Sequence, residues 1–225
     1  MAIFAISDLH LSLGKPKPMD IFGESWRNHE KRIAENWDAM VAPDDTVLIA
    51  GDHSWALRFN EAAPDINYIA QRPGRKILIR GNHDYWWRRE STNKIQAQLP
   101  EGIELMHGRG IVVDNIGITG TRGWRIEEGE EPGNVKVMER ELMYLERGLQ
   151  EIPDGVAKKI AMLHYPPFST SLEPNEFTQA LHKNHVDILV YGHIHSGGYL
   201  EGDIDGIEYH LVSVDHTGFR PVRIA

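Results

Sequence analysis

The residues best able to do chemistry in this chain fall directly after short apolar runs. Ile3–Ile6 is followed by Ser7-Asp8-Leu9-His10, and Val47–Ala50 by Gly51-Asp52-His53. Ile77–Ile79 leads into Arg80-Gly81-Asn82-His83-Asp84, Ile160–Leu163 into His164-Tyr165-Pro166-Pro167, and Ile188–Tyr191 into Gly192-His193-Ile194-His195. Taken singly, each piece is weak: an Asp-x-His is commonly surface polarity, a Gly-Asp a turn, a lone His a hydrogen-bonded residue. Taken in order, every run ends in a potential metal ligand, and sites in α/β sheets assemble at the carboxyl ends of strands. Asp, Asn and His suit Mn, Fe, Co, Ni or Zn rather than a calcium site built of oxygens alone. The chain has no cysteine and 12 histidines. Thiolate sites, disulfides and cysteine nucleophiles are therefore excluded, and metal or acid–base chemistry falls to imidazole, carboxylate and amide groups.

These residues need elements to position them. The apolar runs are only a few residues long and lack polar alternation, which suits strands buried on both faces. Helical patterns separate them. Trp26, Ile33, Trp37 and Met40 share one face of a helix expected after a Ser25 cap, and Met138, Leu142, Leu145, Leu149 and Ile152 mark a long amphipathic helix closed by Pro153-Asp154-Gly155. Pro174 can open a further helix carrying Phe177 and Leu181 inward. Ile103–Met106, Ile111–Val113 and Ile116–Thr119 read as hairpin strands joined by Gly and Asp-Asn turns. A closing group spans Tyr199–Ile204, Ile207–Val212 and Val222–Ile224, with Asp205-Gly206 as a two-residue turn. The acidic, Gly/Pro-containing stretch Glu127–Asn134 reads as an exposed loop.

The 225 residues fit one large domain, taken as 1–225. A hydrophobic share of 41% supports a sizeable core. Lys and Arg total 24 against 33 Asp and Glu, a net charge of −9 that argues against a protein gripping nucleic-acid backbones. A small phosphorylated substrate remains compatible, because charge in a cleft outweighs net charge beyond a Debye length of roughly 8 Å. No apolar run approaches the ~20 residues of a membrane helix. The N-terminus lacks a basic segment and a small-residue cleavage site, so a cytoplasmic location is expected.

The ordered set DxH…GD…GNHD…H…GHxH, from Asp8 to His195, resembles the calcineurin-like metallophosphoesterase superfamily. GNHD and GHIH are its most specific parts, and His164-Tyr165-Pro166-Pro167 is similar to its fourth motif. The resemblance implies an α/β four-layer sandwich, two mixed β-sheets flanked by helices, with the active site at the C-terminal ends of the strands. It implies that Asp8, His10, Asp52 and His195 hold one divalent transition-metal ion and Asp52, Asn82, His164 and His193 a second, with Asp52 bridging. His83 would be the catalytic histidine, oriented by Asp84. The implied activity is hydrolysis of a phosphomonoester or phosphodiester by a metal-bound hydroxide, using two ions drawn from Mn, Fe, Zn, Co or Ni. A bridging carboxylate can hold ions ~3.5–4 Å apart for in-line displacement, and bound water can fall to a pKa near 7. A protonated His83 could then supply the leaving group's proton.

Other segments read more than one way. His53 stands where the superfamily more often has an apolar or acidic residue, and is either an outer partner of a ligand or a histidine packed near the sheet edge. Tyr85-Trp86-Trp87-Arg88-Arg89 is either half core with snorkelling arginines or a wall for an apolar, nucleobase-like leaving group. Arg122 and Arg125, flanked by Gly120 and Gly123, could bind a phosphate or pair with Glu127 and Glu128. His29, His182 and His185 are expected to be solvated, and His107, His210 and His216 carry no assignment. Ser/Thr phosphoprotein phosphatases carry GNHE, so GNHD directs the reading toward small phosphomonoesters or diesters. Two other functions compete: an interaction scaffold, which would be expected to lose ligands, and an amidohydrolase-like barrel, which typically needs ~250 residues.

Overall fold

The computed structural model describes residues 1–88, 91–125 and 132–225. Its strands are β1 (Ile3–Ile6), β2 (Thr46–Ile49), β3 (Arg75–Leu78), β4 (Ile103–Leu105), β5 (Gly110–Val113), β6 (Ile116–Thr121), β7 (Lys158–Leu163), β8 (Ile188–Tyr191), β9 (Gly202–Ile204), β10 (Ile207–Leu211) and β11 (Val222–Arg223). The helices are α1 (His29–Met40), α2 (Phe59–Ala70), α3 (Tyr85–Arg88), α4 (Thr92–Gln96), α5 (Pro132–Glu151) and α6 (Glu176–Lys183).

One sheet has the order β11-β1-β2-β3-β4 and the other β5-β6-β7-β8-β10-β9. Both are mixed: β1 to β4 run parallel with β11 antiparallel, and β6, β7, β8 and β10 run parallel between antiparallel β5 and β9. Side chains alternate across each strand. Ile3 and Ala5 therefore join Ile160, Met162 and Val190 in the core between the sheets, while Phe4 and Ile6 pack with Ile33, Trp37, Ile66 and Trp86 beneath α1 to α4. Ala161, Leu163 and Tyr191 pack with Leu145, Leu149 and Phe177 beneath α5 and α6. The result is the expected four-layer α/β sandwich. Two open sheets also exclude the barrel.

Several local expectations need correction. The helix expected after Ser25 begins at His29, behind a left-handed Asn28, and a 3-10 turn over Glu24–Trp26 takes Trp26 off its apolar face. Met40 is exposed and His29 is buried, the reverse of the expected pattern. Helix α2 was not anticipated, because Pro64 interrupts an otherwise regular spacing of Ala62, Ile66 and Ile69. Helix α6 starts at Glu176 rather than at Pro174, since Asn175 caps it by accepting from the Phe177 amide at 3.0 Å.

The hairpin over Asp114-Asn115 forms, both residues having positive φ, and the Asp205-Gly206 turn likewise. Strand β4, however, pairs parallel with β3, so residues 106–109 cross between sheets instead of closing a hairpin. Strand β11 leaves the closing group to pair with β1. The acidic stretch resolves partly: residues from Pro132 onward belong to α5, while Glu127 to Glu131 lie outside the described residues, as does Arg89.

Candidate metal centre and active site

The strand ends converge on one place because parallel strands deliver their carboxyl ends to the same edge. Bridges between Ser7 and Ser213 and between Leu11 and Ser54 extend the pairing past β1 into this region. The backbone there is strained: Asp8, His10, Asp52 and His193 all have φ between 46° and 71°. Such conformations in non-glycine residues cluster where function requires them, and Asp and His tolerate them better than most. Space is equally tight. A Cβ on Gly81 would collide with the Asp52 carboxylate, and one on Gly192 with that of Asp8.

The seven expected ligands come together. His10 Nε2 lies 3.9 Å from Asp8 Oδ1, 3.9 Å from Asp52 Oδ2 and 3.3 Å from His195 Nε2. His195 Nε2 is 3.5 Å from Asp8 Oδ1. On the other side, His164 Nε2 is 3.5 Å from Asp52 Oδ2 and 2.6 Å from Asn82 Oδ1, which is 3.0 Å from His193 Nδ1. Among the described residues, two groups could hold an ion by their donor spacing: Asp8, His10 and His195, and Asp8, Asp52 and His164. Asp8 belongs to both, and Asp52 Oδ2 also reaches His10.

The donor atoms fit a cation. Asp8 Oδ2 accepts from Ser213 Oγ (2.9 Å), the His193 amide (3.0 Å) and Ser7 Oγ, whereas its Oδ1 is buried without a hydrogen-bond partner among the described residues. Asp52 Oδ1 accepts from the His83 amide at 2.8 Å, and Oδ2 remains toward the histidines. His164 Nδ1 is 2.9 Å from the Ala50 carbonyl and His195 Nδ1 3.0 Å from both Asp215 oxygens. With the proton on Nδ1, such contacts leave each Nε2 lone pair for a metal.

Electrostatics agree with that arrangement. Burial drives His10 and His193 down to about 3 and also lowers His164, which keeps these imidazoles neutral, as ligands must be. His195 goes the other way: burial lowers it, but its hydrogen bond to Asp215 and the Asp8 carboxylate 3.5 Å away raise it to about 10. Burial and the neighbouring Asp8 and Asp84 charges raise Asp52. Asp8, Asp52 and Asp215 outnumber the imidazole that is raised, His195, and leave negative charge that added cations would neutralise.

His83 stands at this edge, its ring centroid 4.3 Å from that of Trp55 and 5.7 Å from that of His10. Burial, then His164, pushes it down to about 4. Asp84 takes partners other than the His83 ring. Its carboxylate accepts from the amides of Gly81 (2.7 Å), Asp52 (2.9 Å) and His53 (2.9 Å) and from Trp86 Nε1 (3.0 Å), which shapes the loop carrying Asp52. His53 is fully buried with Nδ1 2.9 Å from Asp84, the packed alternative of the two. Trp86 and Trp87 are core residues and contribute packing rather than a leaving-group wall, while half-buried Tyr85 stands beside His83, its hydroxyl 3.3 Å from Nδ1.

Arg122 also departs from expectation. It is 6% exposed, and its Nη2 lies 3.4 Å from Oε1 of Glu141, itself fully buried. Neither an open phosphate contact nor a surface pair describes it. Arg80 Nη2 lies 3.7 Å from the same oxygen, and Thr121 Oγ1 donates to Oε2. The Arg122 carbonyl in turn accepts from the amides of His164 (3.1 Å) and Tyr165 (2.9 Å). Glu141 thus ties the loop of Asn82 and His83 to the loop of His164. Arg125 is half-buried, and its charge acts on His193.

Sequence reasoning did not find Ser213 or Asp215, although Val212-Ser213-Val214-Asp215 continues β10 in the same apolar-then-polar manner as the other strand ends. Glu141 carries no such signal, sitting on a helix among other Glu and Arg residues. His182 and His185 are exposed as expected, and His210 and His216 lie 3.1 Å and 3.2 Å from Glu208 and Glu201.

The family model of calcineurin-like phosphoesterases matches residues 1–197. Among curated proteins, Gene 66 protein of Mycobacterium phage L5 is 40% identical over 80 residues, covering 35% of this chain and 37% of the relative. Gene 66 protein of Mycobacterium phage D29 is 37% identical over 83 residues, covering 36% and 40%. The chain therefore matches well under half the length of these relatives. Among solved structures, phosphopantetheinyl hydrolase from Mycobacterium tuberculosis aligns over 99% of this chain and 95% of its own, at 15% identity and a TM-score of 0.67. GAP50, the anchor in the inner membrane complex of Plasmodium, aligns over 96% and 72%, at 12% identity and 0.60. At such identities these two likenesses are likenesses of fold.

Proposed function

From the premise that this chain belongs to the calcineurin-like phosphoesterase family, we propose that it is a phosphohydrolase that cleaves a small phosphomonoester or phosphodiester with two divalent transition-metal ions. The observation that carries this reading is the buried Asp8 Oδ1, without a hydrogen-bond partner among the described residues and facing histidine nitrogens in a cluster whose other carboxylate, Asp52, reaches both sides. Asp8, His10, Asp52 and His195 would hold one ion, and Asp52, Asn82, His164 and His193 the other. When bound, the ions would offset phosphoryl charge and acidify a water enough for attack at neutral pH.

The remaining work falls to the protein. Asp215 and the Ala50 carbonyl fix the His195 and His164 rings, and Ser7, Ser213 and the His193 amide fix Asp8. His83 donates its proton to the leaving oxygen. Burial holds it neutral in the free protein, so the negative substrate must draw the proton onto the ring before it can be donated. A non-catalytic scaffold has no use for this full ligand set. No helix among the described residues is long and apolar enough to cross a membrane.

The test is elemental analysis of protein loaded with Mn, followed by assay of chromogenic phosphomonoester, phosphodiester and amide substrates with and without chelator. Two ions per chain, with phosphoester cleavage lost on chelation, is the expected outcome. Failure to retain metal, or cleavage indifferent to chelator, rejects the reading.

A further inference from the structure

Beside the ligand cluster lies a cleft of about 330 Å³ that the phosphoryl chemistry does not itself require. Its lining joins His10, His83 and His195 to Phe22, Trp26 and Trp55. The Trp55 ring stacks on His10, with centroids 4.8 Å apart and planes 21° apart, and lies 4.3 Å from His83. The Trp26 ring is 5.8 Å from His195 and 6.0 Å from His10. A group held by these indoles would therefore sit next to the reacting centre. At the rim Phe22 is 60% exposed, carried on a 3-10 turn over Asp20–Phe22. Lys17 Nζ lies 3.0 Å from the Trp55 ring centroid and supplies a positive charge close by.

Resting on the phosphohydrolase reading, we propose that this cleft selects phosphate esters whose leaving alcohol carries a flat aromatic ring, nucleotides being the natural members of that class. Of these rings Phe22 is the exposed one, while Trp26 is 5% exposed and Trp55 is stacked on His10 with Lys17 Nζ over its ring, so a further ring would stack on Phe22 and meet the indoles along the cleft wall. A sugar or polyol would need donors and acceptors instead. Beyond the histidines the cleft is lined by two polar groups, the Ser196 hydroxyl and Asp215, and Asp215 is already engaged by His195. The volume lies at the lower end of small-ligand clefts, roughly 300–1,000 Å³, and suits one ring system rather than a polymer. The stretch from Tyr85, where the sequence suggested such a wall, is not where the exposed aromatic surface lies.

The experiment compares adenosine 5′-monophosphate with ribose 5-phosphate on the metal-loaded protein, because both are phosphate esters of the same primary alcohol and differ chiefly in the adenine ring. Base stacking on one aromatic side chain gives a preference of roughly 5- to 100-fold. That preference in kcat/KM is expected, as is its collapse in Phe22→Ala through KM and its recovery in Phe22→Tyr. Independently of turnover, a non-hydrolysable adenosine phosphonate is expected to quench tryptophan emission in the wild type and less so in Trp55→Phe. Hydrolysis of both esters without ring preference and without quenching overturns the cleft while leaving the phosphohydrolase intact. Quenching that depends on Trp55 in a protein that cleaves neither these esters nor the chromogenic phosphomonoester and phosphodiester supports the cleft and rejects the phosphohydrolase. A ring preference untouched by Phe22→Ala and Trp55→Phe also overturns the proposal.

Discussion

Asp8 and Asp52 at the strand ends and Glu141 on α5 all bury their carboxylates, but among different neighbours. Around Glu141 the countercharge is built in: two guanidinium groups approach Oε1 and a hydroxyl donates to Oε2. Around Asp8 and Asp52 the neighbours are histidines, of which burial keeps His10, His164 and His193 neutral while the raised one, His195, is shared with Asp215, and one carboxylate oxygen has no hydrogen-bond partner among the described residues. The second region would hold its charge at great cost unless cations came from outside. Burial of charge is therefore a poor guide to function taken alone. What separates a structural ion pair from a site is whether the protein supplies the opposite charge itself.

The largest expected effect tests the unneutralised region. Asp52→Ala should strip most bound metal and nearly all turnover, because Asp52 Oδ2 lies within 3.9 Å of His10 and 3.5 Å of His164. Two ions per chain retained in elemental analysis would show that Asp52 is no bridge. Asp52→Asn in metal-stripped protein should raise stability toward urea at neutral pH, since it removes a charge that Asp8 repels. The corresponding loss in the wild type grows as pH rises through the raised Asp52 titration.

His83→Ala should keep the metal and lose about 10²- to 10⁴-fold in turnover, the usual contribution of a general acid. The loss should shrink on nitrophenyl phosphate, whose leaving group hardly needs a proton. Equal losses on alkyl and nitrophenyl esters would remove the general-acid role.

Glu141→Ala probes the self-neutralised region. Leaving Arg80 and Arg122 buried beside no anion should cost about 3–5 kcal/mol of stability, read from urea unfolding. If unfolding is unchanged, the guanidinium groups are not confined as the structure places them. Arg125→Ala should have the smallest effect, because half-buried Arg125 acts on the site through its charge on His193. A charge-assisted bond to substrate is worth about 1.5–3 kcal/mol, seen as a raised KM with metal content and stability intact. A change in KM under about twofold would leave Arg125 outside substrate recognition.

The legible part of the site consists of local signals. Asp8, His10, Asp52, Asn82, His164, His193 and His195 could be found because each follows an apolar run within a few residues, so the strand and its ligand are read in one window. Trp26 was misplaced because its spacing matches helix α1, while a left-handed Asn28 starts that helix three residues later. Strand β4 looked like half of a hairpin because a glycine turn and a crossover between sheets have the same composition. Glu141 was invisible: a glutamate on an amphipathic helix reads as solvated until the fold brings Arg80 and Arg122 to it.

The sequence by itself determined the fold family, the candidate ligand set and the exclusion of thiol chemistry, because these rest on residue types and on order along the chain. Only the tertiary structure decided that Asp84 binds the amides of the Asp52 loop rather than the His83 ring, that Arg122 is an internal counterion, and that Trp26 and Trp55 meet at the histidines. Each of those facts depends on a partner remote in sequence. Which charge is neutralised and which ring is stacked is set by distance in space, and loops and helices separated by tens of residues acquire that distance only when the two sheets pack.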